Sequence, residues 1–270
     1  TTTWLVVVFG ALGSLGQDKL WRALFLNWYH ALGMQGLYCL GVDQVSLKKR
    51  GLSEQLWVAK ILEKNKASLG EIYNFSYATS RFSQSVEYVR ACSTDPKSFQ
   101  AVVRRATRLK KRILRENPGT MVRTLYYLAL PPQQFSDTEQ NITSMLVPPM
   151  AQLDPPDEPV GQTLVVEKPL GQSLAEARPF VERLRENWSL PDNFLCMDHF
   201  AFKTEVRDLL ARLYGNSDFS GSYRFPHVAK VLISAYEPGG VGGRNFFGTL
   251  CDSIQSHLGL LYALTWEDPY

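Results

Sequence analysis

The sequence has no C-x-x-C pair, no apolar run of membrane length and little charge imbalance, and each absence removes a class of protein. Its four cysteines, Cys39, Cys92, Cys196 and Cys251, are scattered over 270 residues. That leaves a zinc ribbon without its ligand pairs and offers no disulfide framework. The expectation is a reducing compartment, cytoplasm or an organelle matrix such as the mitochondrial one, rather than secretion. The longest early apolar run, Trp4 to Phe9, falls far short of the ~18 residues of a membrane span. A net charge of +3 does not by itself argue for nucleic acid or a membrane surface. With 45% hydrophobic and 20% charged residues, the composition is that of a globular chain with one large core or two modest ones. The opening Thr1-Thr2-Thr3 lacks methionine and reads as a processed or trimmed start, with any targeting peptide already gone.

Strand and helix patterns alternate from the first residues. Trp4–Phe9 (WLVVVF) is short, apolar and valine-rich, suited to a strand covered on both faces. An amphipathic stretch runs from Lys19 to about Leu32, and Gly36–Gly41 (GLYCLG) reads as a second strand. Tyr77–Thr79 is the candidate for a short third strand. Over Ser98–Glu116, Val102, Ala106, Leu109 and Ile113 recur at helical spacing, with Arg104, Arg105, Arg108, Lys111, Arg112 and Arg115 on other faces. That charge fits either a solvated helix face or a site for nucleic acid or an acidic partner; no nucleic acid is expected. Thr124–Leu130 and Thr163–Glu167 are further buried strands, the proline-rich Pro148–Gly161 segment a surface loop, and Ala175–Trp188 a helix. Asn141-Ile142-Thr143 fits a glycosylation triplet, a pattern that chance often produces. The alternation predicts an α/β fold, a doubly wound Rossmann-type parallel sheet over about residues 1–197.

Gly10-Ala11-Leu12-Gly13-Ser14-Leu15-Gly16 joins the first strand to the first helix. Glycines there permit a tight turn and let backbone approach a pyrophosphate, and a helix N-terminus supplies N–H donors. The spacing is G-x-x-G-x-x-G, which a purely structural turn would also satisfy. The second strand runs into Gly41-Val42-Asp43-Gln44, with no arginine to pair with a ribose 2′-phosphate. Asp43 is placed either to accept a hydrogen bond from a ribose hydroxyl, which suits NAD better than NADP, or simply to begin a turn.

Further segments are more specific. Tyr127–Pro132 (YLALPP), Glu167–Gly171 (EKPLG), Asp198–Lys203 (DHFAFK) and Gln255–Leu258 (QSHL) resemble, in order, motifs of the glucose-6-phosphate dehydrogenase family. So do Gly10–Leu24 (GALGSLGQDKLWRAL) and the run from Ala263 to Pro269. The resemblance extends from near residue 9 to the end of the chain. It implies a Rossmann-type coenzyme domain followed, from 198 to 270, by part of an α+β catalytic domain. It also implies oxidation of glucose 6-phosphate at C1 to the lactone, with NADP or NAD as acceptor. By matching position, His257 is the general base and Asp198 the carboxylate that orients it. His199 and Lys203 hold the substrate phosphate, and Lys168 stands between substrate and coenzyme. Glu237 and Asp252 accept from sugar hydroxyls, and Pro169 matches a proline that is cis in the family. Gly10, Gly13, Ser14, Leu15, Gly16, Asp43, Gln44, Pro131 and Lys168 would line the coenzyme; no metal is implied.

The sequence departs from the family in working parts. Leu12 and Ser14 replace a serine and an aspartate of the first turn, and Gln44 stands where NADP-using members carry arginine, with Lys48 and Lys49 nearby. Phe200 replaces a phosphate-binding tyrosine, Phe202 and Thr204 alter the same motif, and Cys251 and Ser256 replace arginine and asparagine beside His257. Glu237–Phe247 is shorter than its counterpart. Family members continue through a large, mostly antiparallel sheet beyond the point matching Tyr270. The expectations are therefore two: a divergent nucleotide-binding or structural accessory subunit with reduced or no catalysis, or an active dehydrogenase. In both, the apolar Leu258–Trp266 stretch is expected to be covered by another polypeptide, and discrimination between NADP and NAD is expected to be weak.

Overall fold

The computed structural model describes residues 1–54, 56–147, 161–171, 173–188, 193–198, 204–215, 230 and 232. Its strands are β1 (Thr2–Phe9), β2 (Leu37–Asp43), β3 (Val86–Arg90), β4 (Met121–Leu128), β5 (Gln162–Glu167) and β6 (Phe194–Met197). They form one sheet in the order β3-β2-β1-β4-β5-β6. The pairings from β3 to β5 are all parallel. Bonds from Leu164 N–H to Asn193 O and from Lys168 N–H to Met197 O advance together along β5 and β6, so that pair is parallel too. The order reverses at β1, which lies between β2 and β4. In such a sheet the loops after β1 and β4 part company, and the crevice they leave is the expected ligand site.

The helices are α1 (Trp21–Leu26, continuous with π turns Gly16–Leu20 and Asn27–Ala31), α2 (Trp57–Lys64), α3 (Phe75–Gln84), α4 (Pro96–Glu116), α5 (Phe135–Met145), α6 (Leu174–Asn187) and α7 (Thr204–Gly215). Central β1 is apolar throughout because both its faces are covered: Leu5, Val7 and Phe9 are fully buried. One core is aromatic, with Trp21, Phe25, Trp28, Trp57, Phe82 and Tyr88 packed against Val6, Val8 and Cys39. Each such side chain contributes on the order of 1.5–3 kcal/mol by leaving water. In the other, Phe99 of α4 stacks on Phe9 with ring centroids 5.9 Å apart.

The short strand expected at Tyr77–Thr79 is instead the middle of α3. Asn74, at φ +47°, caps that helix by accepting from the Tyr77 N–H. Ala78, Thr79 and Phe82 then turn one face inward, and the Thr79 hydroxyl donates to Phe75 O at 2.9 Å. Three residues are too few to reveal a helical period, and the third strand lies just beyond, at β3. The basic helix expected over Ser98–Glu116 begins at Pro96, capped by the Asp95 carboxylate. Part of its charge is used internally: Arg105 Nε lies 2.5 Å and Arg112 Nη1 2.8 Å from the Glu87 carboxylate on edge strand β3. Asn141 of the glycosylation-like triplet is buried in α5 and donates to Ser93 O at 2.8 Å.

The chain divides into two compact units, Thr1–Val166 with Arg178–Leu195, and Glu167–Ala177 with Cys196–Tyr270. Among the described residues no helix is long and apolar enough to cross a membrane. The Pro148–Gly161 loop, apart from Gly161, and the Leu258–Trp266 stretch lie outside the described residues.

Candidate functional site

β1 ends at Phe9, and the chain turns at once. Gly10 adopts φ +79°, the left-handed region, and a Cβ there would run into the carbonyl oxygen of Ala129 beyond β4. Only glycine fits both the dihedral and the space. A Cβ on Gly16 would come within 2.6 Å of Ala11 O, so Gly16 lets the helix start lie against the turn. Gly13 N–H donates back to Gly10 O at 3.0 Å, and Gln17 N–H to Gly13 O at 2.9 Å. Ser14 and Gly13 are exposed, Leu15 is half-buried and Gly16 buried. The first-turn N–H groups of such a helix have no partner within it and are free to meet an anion.

The turn is held from behind. Trp21 Nε1 donates to Ala11 O at 2.9 Å, and its ring meets Trp57 edge-on at 4.8 Å. Leu12, 2% exposed, is gripped at both ends of its peptide. Its N–H donates to Asp43 Oδ2 at 3.0 Å, while its carbonyl accepts from Gln17 Nε2 at 2.6 Å and from Arg50 Nη1 at 3.4 Å. Asp43 Oδ1 accepts from Val45 N–H at 3.0 Å. Gln44 is exposed; its amide donates to Cys92 Sγ at 3.3 Å, and its carbonyl accepts from Arg90 Nε at 3.0 Å. Pro131 follows β4, extended at φ −60° and ψ 142°. Gly10, Gly13, Ser14, Leu15, Gly16, Asp43, Gln44 and Pro131 thus all lie at the C-terminal ends of β1, β2 and β4.

In the second unit, the Lys168–Pro169 peptide is cis, as the resemblance implies. Lys168 Nζ lies 2.5 Å from Asp198 Oδ2, with side chains 36% and 16% exposed. Residues on consecutive parallel strand ends, past β5 and past β6, meet as an ion pair. A Cβ at Gly171 would come 2.8 Å from Ala177 N, so that turn too is closely packed. His199, Lys203, Glu237, Asp252 and His257 lie outside the described residues. Among the described residues no group of three or more His, Cys, Asp or Glu side chains is arranged to hold a metal.

The sequence reading missed Arg50 and Arg90. Arg90 sits opposite Asp43 in the β2–β3 register, a pairing legible only once β3 is placed at Val86–Arg90. Arg50 ends the turn Lys48–Arg50 and folds back to Leu12, a contact across 38 residues that no local pattern announces.

The family described as "Glucose-6-phosphate dehydrogenase, NAD binding domain" matches residues 7–208. The glucose-6-phosphate 1-dehydrogenase of Hanseniaspora uvarum is 26% identical over 272 residues, taking in 98% of this chain and 51% of that one. The Caenorhabditis elegans enzyme is 28% identical over 262 residues, 95% of this chain and 46% of its own length. The chain therefore spans about half the length of the curated relatives it matches. In fold it is similar to a solved glucose-6-phosphate dehydrogenase in complex with its substrate glucose-6-phosphate. That likeness has a TM-score of 0.69 at 22% identity, over 98% of this chain and 51% of the other.

Proposed function

Because the chain belongs to the glucose-6-phosphate dehydrogenase family, we propose that its first unit binds a nicotinamide dinucleotide on the turn after β1, in the service of sugar-phosphate oxidation. The observation that supports this is the turn itself. Gly10 and Gly16 are pressed against backbone that a Cβ would strike, and the turn leads into helical first-turn N–H donors at the point where the strand order reverses. A pyrophosphate suits that arrangement of donors and helix dipole. When bound, the dinucleotide supplies the acceptor for a hydride.

The substrate proposed is glucose 6-phosphate. His257 takes the proton of the C1 hydroxyl as the hydride leaves C1, a task for an imidazole of near-neutral pKa. His199 and Lys203 hold the phosphate, and Glu237 and Asp252 accept from sugar hydroxyls. Lys168, held by Asp198 at 2.5 Å, is kept in a fixed position as a donor, and Asp198 orients His257. A second reading, a dinucleotide-binding accessory polypeptide with reduced or no catalysis, is favoured by the replacements at Phe200, Phe202, Cys251 and Ser256.

One experiment separates the readings. The purified protein is titrated with NADH and NADPH, following energy transfer from its tryptophans. Reduction of NAD and NADP is then followed in the presence of glucose 6-phosphate. Saturable binding that Gly10→Ala abolishes is the expected result; a folded protein binding neither nucleotide overturns the proposal. Sugar-dependent reduction that His257→Ala abolishes supports the dehydrogenase, whereas binding without turnover supports the accessory polypeptide.

A further inference from the structure

The proposed nucleotide site makes no use of α4, whose charge is nearly all of one sign. The helix carries eight Lys and Arg side chains against one acidic residue, Glu116, a net +7 in a chain whose total is +3, so the residues outside α4 sum to −4. The cations fall into two groups. Arg105 and Arg112 both meet the Glu87 carboxylate on β3, and Arg105 also meets Glu54 at 2.9 Å. Lys97, Arg104, Arg108, Lys111 and Arg115 recur at intervals of three, four or seven, which keeps them on one face. All five are exposed. Arg108 lies 3.7 Å from Glu87. Among the described residues no carboxylate comes within ion-pair distance of the other four.

This face is fixed in place. Phe99, Val102, Ala106, Leu109 and Ile113 are buried on the opposite side of the helix, so α4 cannot roll to redistribute its charge. From Lys97 to Arg115 the stripe runs roughly 27 Å, at ~1.5 Å per residue. Arg104 with Arg108, Arg108 with Lys111, and Lys111 with Arg115 are like charges one turn apart, and such pairs repel. A helix face built only to be solvated alternates the two signs. Here the carboxylates that would relieve the repulsion are missing from the face, and a row of them from outside fits it. Leu114, one turn beyond Lys111, is 50% exposed and adds an apolar contact beside the charge.

We propose that the Lys97–Arg115 face of α4 is a docking surface for an acidic amphipathic helix of another protein. A facing helix presents carboxylates every three or four residues, the spacing of these cations, and an apolar side chain for Leu114. Nucleic acid fits less well. The stripe is narrow, with Asp95 and Glu116 at its ends and Glu54 and Glu87 along one flank. A broad phosphate surface would meet those carboxylates together with the cations, and would leave Leu114 without a partner. The proposal is independent of the dinucleotide reading.

The probe is a fluorescently labelled synthetic helix of about 20 residues, roughly 30 Å long, with Glu at three- and four-residue spacing and Leu beside it. It is titrated with the whole chain and followed by anisotropy. Saturable binding is expected, weakening as salt is raised toward about 1 M, where the screening length is ~3 Å. Arg104→Glu with Lys111→Glu should weaken it roughly tenfold or more, because like charges then face each other. Should that variant fail to fold by circular dichroism, Arg104→Gln with Lys111→Gln replaces it and should also weaken binding. Leu114→Ser, which keeps the charge, should weaken it several-fold. Lys64→Glu with Lys66→Glu, an equal change of charge on another surface, should leave it unaltered. A folded wild type that does not bind the peptide, or an equal loss in the Lys64 and Lys66 variant, would overturn the proposal. So would duplex DNA of the same length bound more tightly than the peptide.

Discussion

Two strand ends in this molecule carry the residues proposed for chemistry, and they are held by different physics. The turn after β1 is fixed by geometry. Glycines sit where side chains do not fit, Leu12 is hydrogen-bonded at both ends, and a buried Trp21–Trp57 pair backs the whole. The segment after β5 is fixed by charge, with Lys168 drawn to Asp198 across the ends of two strands. Steric constraint is indifferent to salt and acts over all ordinary pH. An ion pair between partly exposed groups weakens as salt rises and as either partner changes protonation. A turn proposed to receive a pyrophosphate gains from being rigid beforehand.

The largest effect that would sharpen this contrast is at Gly10. Gly10→Ala places a side chain at φ +79° and against Ala129 O. It should cost about 2–5 kcal/mol from the left-handed dihedral and overpacking together. Urea unfolding measures it, and the loss should be the same at low and high salt. Asp198→Ala comes next, at about 1–3 kcal/mol, between the ranges for exposed and for broken buried pairs. Its deficit should shrink in about 1 M salt, where the screening length falls to ~3 Å. If the two variants responded alike to salt, the contrast would fail.

Alkaline pH offers a smaller effect within the first region. Burial in the middle of β2 raises the Cys39 thiol well above its ordinary 9.0. The folded protein keeps that proton while the unfolded chain gives it up above 9.0. The stability tied to it is therefore complete below pH 9 and declines as pH rises, by at most about 1.4 kcal/mol per pH unit. Tyr88 and Tyr126, also raised by burial, add to the decline only above their ordinary 10.0. Lys110, whose ammonium burial lowers, affects wild type and variant alike. Cys39→Ala should lower the baseline through the cavity and lessen the slope that starts at pH 9, the remainder coming from the Cys196 thiol, which burial also raises; an unchanged slope between pH 9 and 10 would refute the assignment. The smallest effect is expected for Asp18→Asn, which breaks an exposed 3.4 Å pair with Lys64. Its unfolding free energy should change by less than about 1 kcal/mol.

The same contrast explains what the sequence made legible. The sheet could be read because β1, β2, β4 and β5 are apolar runs bounded by glycine or proline, the mark of strands covered on both faces. α4 could be read because 21 residues show a period that three at Tyr77–Thr79 cannot. β6 and α2 went unread, for β6 has only four residues and α2 only eight. Within the site, glycines and Asp43 were legible because their roles follow from local backbone needs. The Lys168–Asp198 contact joins residues 30 apart, and the Arg50 and Arg90 contacts depend on where other strands end. Long-range side-chain pairing leaves no periodic trace in a single sequence.

The measurement that tests the central claim most directly is amide hydrogen exchange, resolved to single residues, with and without saturating NAD. If the turn after β1 receives the pyrophosphate, the amides of Ser14, Leu15 and Gly16 should gain protection beyond any other segment. The amides of α4, on the far side of the β1 core, should not change. Protection confined to other segments, or none at a nucleotide concentration shown to saturate, would contradict it.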